Sequence, residues 1–183
     1  MKVLDKTYLY DGSIEGLFTI IYDVLKLKEM PRAITLESSY NPSLFDNIVH
    51  IKTDYDKSYQ LFKLIPSKIS DLAMYEVYNA FLSSDPTKEL VIAYFLVNGF
   101  KYGKKIDSLR SLNCVFKLQK LSKYVRMEAH RLKGFLRFKE INNHILYATF
   151  APENDILDIL SKHFKARLKN ECWMIEDEKR NKI

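Results

Sequence analysis

The stretch HRLKGFLRFKEINNHILYATF, residues 130–150, decides the fold, because a long helix stops there and a sheet begins. Upstream, the apolar residues Leu112, Val115, Leu118, Leu121, Val125, Ala129 and Leu132 recur at helical spacing. Asp107 or Ser108 to about Lys133 therefore reads as one long core helix with a cationic outer surface. Gly134 is placed to end it as the residue just past the last turn. Residues 135–141 and 144–150 then read as a hairpin, since Asn142–Asn143 tolerates the positive φ of a two-residue turn. Pairing Ile141 with His144 sets Lys139 against Leu146, Arg137 against Ala148 and Phe135 against Phe150. That register turns Leu136, Phe138, Ile145 and Tyr147 inward. It leaves Arg137, Lys139 and His144 outside, among Phe135 and Phe150. Bases beside aromatic rings suit phosphate contact with base stacking. A half-exposed sheet with snorkelling side chains looks the same.

Working outward, residues 6–10 read as a short strand, and Ser13 caps a helix running to about Lys28. Residues 29–46 read as a long connection with a short strand at 33–37, and 47–52 alternate like another strand. Asp54 caps a helix that stops near Pro66, Ser70 or Asp71 starts the next, and Asp85–Pro86 opens a third, running to Gly99. Past the hairpin, residues 156–168 read as a helix and 171–176 as a last strand. The expected class is α+β: several helices packed on a small, mostly antiparallel sheet, with a C-terminal hairpin–helix–strand unit. One domain, 1–183, is expected, with a helical part at about 54–133 and the hairpin–helix–strand part at about 134–183.

With 47% hydrophobic and 13% aromatic residues, the chain can fill a core of that size, which argues against disorder. No apolar run reaches the roughly 20 residues a membrane helix needs, and MKVLDKTYLYDGS lacks a secretory signal's apolar core. The cytoplasm is the expected location. Cys114 and Cys172 make no metal or disulfide pattern, and no histidine pair has ligand spacing. With no iron–sulfur spacing, Walker loop or GxGxxG, neither metal nor cofactor is expected. The charge is uneven: residues 1–100 carry −3, residues 101–141 carry +9, and the rest balance. Such a block attracts a polyanion, or it is a solvated helix face.

EAHRLKGFLRF (128–138) does not stand alone. Together with YDGSIEGL (10–17), IKTD (51–54), AFLS (80–83), GFKYGKKID (99–107), APEND (151–155), HFKARL (163–168) and WMIEDEKR (173–180), it resembles a bacterial family of unknown function. The members of that family are labelled probable DNA metabolism or DNA repair proteins. The resemblance covers nearly the whole chain in the same order. It implies a radical-SAM protein as partner, and some relatives are fused to a uracil-DNA-glycosylase-like domain. Longer relatives continue past DEKR into another strand and a basic tail.

The expected function is a DNA-binding accessory module of a repair or modification system. Lys101, Lys104, Lys105, His130, Arg131, Lys133, Arg137 and Lys139 are its expected nucleic-acid contacts. Asp11, Ser13, Glu128, His163, Arg167 and Asp177, carried over from the family motifs, are the candidates for a polar pocket. Two other readings stand beside it: a nucleic-acid-processing enzyme using Glu128 and His130, and a protein-interaction subunit without DNA contact.

Overall fold

The computed structural model describes residues 1–42, 46–141 and 144–183. The chain opens with a strand, helix and strand: β1 (Lys2–Tyr10), α1 (Ile14–Leu27) and β2 (Glu29–Leu36). Ser13 Oγ accepts from Gly16 N at 2.9 Å and so starts α1, and Lys28, at φ 57, closes it by donating to Val24 O. Strands joined by a crossover helix run parallel, and β2 pairs parallel with β1, Thr7 opposite Ala33. On the other side of β1, β3 (Ile48–His50) is parallel too, giving the order β2-β1-β3.

Four helices follow: α2 (Tyr55–Lys68), α3 (Asp71–Phe81), α4 (Lys88–Tyr102) and α5 (Asn113–Phe135). Asp54 and Ser70 cap α2 and α3. α2 continues through Pro66 rather than stopping at it. Gly103, at φ 57, breaks α4 into a 3-10 turn, Gly103–Ser108, so the long helix begins at Asn113 and not at Asp107 or Ser108. The C-terminal unit is β4 (Lys139–Ile141), β5 (Ile145–Phe150), α6 (Leu157–Arg167) and β6 (Cys172–Asp177).

The class is α+β, but the expected mostly antiparallel sheet is not found. Among the described residues there are two small sheets, one all parallel and one mixed. In the second, β4 runs antiparallel to β5 while β6 lies parallel to β5, because α6 carries the chain back before β6 pairs. The hairpin register also differs. Ile141 pairs with Ile145 and Lys139 with Tyr147, and His144 sits at φ 61 in the connection. A slip of one residue exchanges the two faces of a strand, so the expected outer row is not assembled. The expected Asn142–Asn143 turn lies outside the described residues. Gly134 is not the helix stop either: α5 runs on to Phe135, with Leu136 as its cap. Arg137 leaves the sheet, its Nη1 donating to Gly134 O at 2.7 Å and to Leu136 O at 3.2 Å. A cation at a helix C-terminus satisfies carbonyls that have no intrahelical donor.

α5 joins two apolar cores. Val115, Leu118 and Leu121 on its first half pack with Ile20, Ile65, Ile92 and Leu96. Val125 and Ala129 on its second half pack with Phe150, Ile156, Leu160 and Ile175. Among the described residues no helix is long and apolar enough to cross a membrane.

Candidate nucleic-acid interface

Three motif segments meet at the C-terminal half of α5. Glu128 is buried and accepts from Glu153 N at 2.8 Å, Asn154 N at 3.0 Å and Asn154 Nδ2 at 2.6 Å. Asp177, fully buried, holds Arg180 Nη1 at 2.9 Å, and that guanidinium donates to Pro152 O at 3.2 Å and to Glu153 O at 2.5 Å. An acid thus takes the N–H groups of the 152–154 backbone while a base takes its carbonyls. Asn154 Oδ1 then accepts from Ser84 N at 3.1 Å, and Asp155 N donates to Leu82 O at 2.9 Å. These bonds fix residues 82–87 as a rigid ridge before α4.

Beside the ridge runs a groove of about 620 Å³, walled on one side by α5. At about 100° per residue, Lys117, Lys120, Tyr124, Glu128, Arg131 and Phe135 fall within about 80° of one another on the helix. All but Glu128 are exposed. Lys120 Nζ lies 5.7 Å from the centre of the Tyr124 ring. Lys117, Lys120 and Arg131 make no ion pair with a carboxylate among the described residues. Across the groove, Asp85 accepts from Thr87 Oγ1 at 2.6 Å and Thr87 N at 2.8 Å. Those bonds hold its carboxyl below the usual range, with Lys117 and Lys120 adding to the effect against partial burial. The groove runs on past Glu128 and Arg131 to a shallower hollow at Leu132, Phe135 and Pro152. A third hollow follows, shared by Phe135, Lys139 and Tyr147. Cations and exposed rings alternate along this track.

The expected contact residues are distributed unevenly over this surface. Arg131 lies in the stripe, and Arg137 and Lys139 line the last hollow. His130 is exposed about 100° round the helix from Arg131, and Lys133 faces a different side, toward His163. Lys101, Lys104 and Lys105 are exposed where α4 ends, near the opposite end of α5, which is about 35 Å long.

The expected polar pocket divides into three places. Glu128 and Asp177 act on one backbone segment. Asp11 accepts from Ser13 Oγ at 2.6 Å, Ser13 N at 2.9 Å and Thr53 Oγ1 at 2.7 Å. Partial burial raises its carboxyl, but these hydrogen bonds outweigh that and hold it below the usual range. His163 and Arg167 sit a turn apart on α6; partial burial, Lys133 and Arg167 together push the imidazole below its ordinary value.

A family model for a domain of unknown function, DUF4130, matches residues 86–183, more than half of the chain. The chain belongs to the DUF4130 family. No curated protein and no solved structure matches it. The DUF4130 span begins at Pro86 on the ridge and takes in α4 to β6, including Glu128, the 152–155 segment and Asp177. The segments at 10–17 and 51–54 lie before it. Within the span, the sequence reading left out Lys117, Lys120 and Tyr124, although their spacing of three and four with Glu128 and Arg131 was the signal.

Proposed function

We propose that this DUF4130 protein is a DNA-binding accessory module of a repair or modification system, and that the α5 groove takes the phosphate backbone. One observation carries the reading: Lys117, Lys120 and Arg131, free of carboxylate partners among the described residues, share one helical stripe with the exposed Tyr124 and Phe135. Backbone cations with ring platforms are what sequence-tolerant binding of a nucleic-acid strand requires. The resemblance to DNA metabolism and repair proteins supports the choice of DNA, and it names a radical-SAM protein as the partner that would supply the chemistry. The enzyme reading lacks comparable support. Glu128 and His130 are two residues apart, about 200° round α5, and three donors occupy the Glu128 carboxylate.

The test is fluorescence anisotropy with single-stranded and duplex DNA over a salt series. Four contacts, from Lys117, Lys120, Arg131 and Lys139, predict a slope of log K against log salt of about −2.8 on a single strand and about −3.6 on duplex. Replacing Lys117, Lys120 and Arg131 together by Ala should flatten the single-strand slope by about 2. An unchanged slope, or no binding at about 0.1 M salt, overturns the reading.

A further inference from the structure

On the other side of the 82–87 ridge lies a second cleft, of about 590 Å³, which the groove reading does not use. That size suits a small ligand. Its wall carries Lys88, the first residue of α4, next to Glu89 and Tyr10. Lys88 is half-buried, its Nζ donating to Phe81 O at 2.8 Å and lying 5.1 Å from the centre of the Phe81 ring. Among the described residues no carboxylate comes within ion-pair distance of it, because each one lining the cleft is engaged elsewhere. Asp11 takes Ser13 and Thr53, Asp85 takes Thr87, Asp155 takes Lys182 at 2.6 Å, and Glu89 accepts from Tyr10 OH at 3.0 Å. The positive end of α4 also disfavours a cation at its first residue.

We propose that Lys88 is an imine-forming nucleophile and that this cleft receives an aldehyde. The amine nitrogen attacks the carbonyl carbon, forming the C–N bond as the C=O π bond breaks, and one of its own protons passes to the carbonyl oxygen. The carbinolamine hydroxyl then leaves as water with a proton from Glu89, and the nitrogen returns its remaining proton to Glu89 as C=N forms. One aldehyde and one amine give one imine and one water. Burial pushes the Lys88 amine below the usual lysine range, with Arg180 and Lys182 adding to it against Glu89 and Asp155. Burial pushes the Glu89 carboxyl up, so the acid and the amine are both driven toward their uncharged forms. The aldehyde comes either as a free small molecule or as the opened sugar of a base-free nucleotide in a strand crossing the ridge. The second source rests on the groove reading; the first does not.

The test traps the imine on the full chain with cyanoborohydride at neutral pH, using glyceraldehyde in one arm and an oligonucleotide with one abasic site in the other. Peptide mapping then gives a rate for each lysine. Lys88 should react fastest of the lysines, since a depressed pKa leaves more of its amine free at neutral pH. Lys88→Arg, which keeps a donor for Phe81 O, should remove the fast component; if that variant fails to fold, the map of the parent protein decides. Fast trapping by glyceraldehyde identifies a free carbonyl ligand and stands even if DNA binding fails. Fast trapping by the abasic strand alone, lost on Lys120→Ala, identifies the strand as source. Lys88 reacting no faster than exposed lysines in both arms overturns the proposal.

Discussion

Replacing Glu128 by Gln tests whether this carboxylate is a clamp or a reagent. It sits in the C-terminal half of α5, and each of its three bonds reaches a segment 25 or 26 residues away. A hydrogen bond to a charged group contributes about 1.5–3 kcal/mol, and a buried donor left without its acceptor costs about 1–3 kcal/mol. Gln keeps one oxygen but turns an NH2 toward an N–H, so one bond is lost and one buried donor faces another. The expected destabilisation is about 2–4 kcal/mol, and full truncation to Ala should cost about 3–5 kcal/mol. For a chain of this size that lowers Tm by roughly 4–16 °C. Urea titration followed by circular dichroism reads the change directly. Glu153→Ala is the control, because that residue contributes its backbone N–H and its own side chain is exposed. A Gln variant within about 0.5 kcal/mol of the parent refutes the clamp and returns Glu128 to the list of groups free to act chemically.

Two further outcomes follow from the same geometry. Gly134 lies inside α5 with nothing within 4 Å of where a Cβ would sit, so Gly134→Ala should raise stability by about 0.8–1 kcal/mol in a urea melt; a loss would mean that the helix stops before it. The Glu89 carboxyl is raised by burial, so the folded state binds its proton more tightly than the unfolded chain does, and the stability this lends at low pH is lost as pH rises through the folded value. Stability measured upward from about pH 4 should therefore fall in the parent relative to Glu89→Gln, and parallel profiles would contradict the burial argument.

Several features were readable from neighbouring residues alone. Ser13 and Asp54 cap the helices they were expected to cap, and of Ser70 and Asp71 it is Ser70 that caps the next, because a cap is a bond to an N–H two or three residues on. The core face of α5 followed from its period. Strand direction was harder to read: β1–β2 and β5–β6 each follow a strand–helix–strand order that the sequence displays, yet residues 29–46 were taken as a loop with an isolated strand. The hairpin register failed for a smaller reason. Whether two or three residues connect β4 and β5 decides which side chains share a face, and NNH admits both counts.

By itself, then, the sequence determined the helices in outline, the N-caps of α1 to α3, the apolar stripe of α5 and the concentration of charge in residues 101–141, all of which depend on contacts within about one turn or on composition. Tertiary structure alone decided that this charge divides between the two ends and several sides of α5. It also brought Glu128, Asn154, Asp177 and Arg180 onto one backbone segment, and set Tyr10 against Glu89, the neighbour of Lys88, in a separate cleft. Those meetings join residues 25 to 79 positions apart, and they exist only because two cores pack along one helix and hold distant loops at a common ridge.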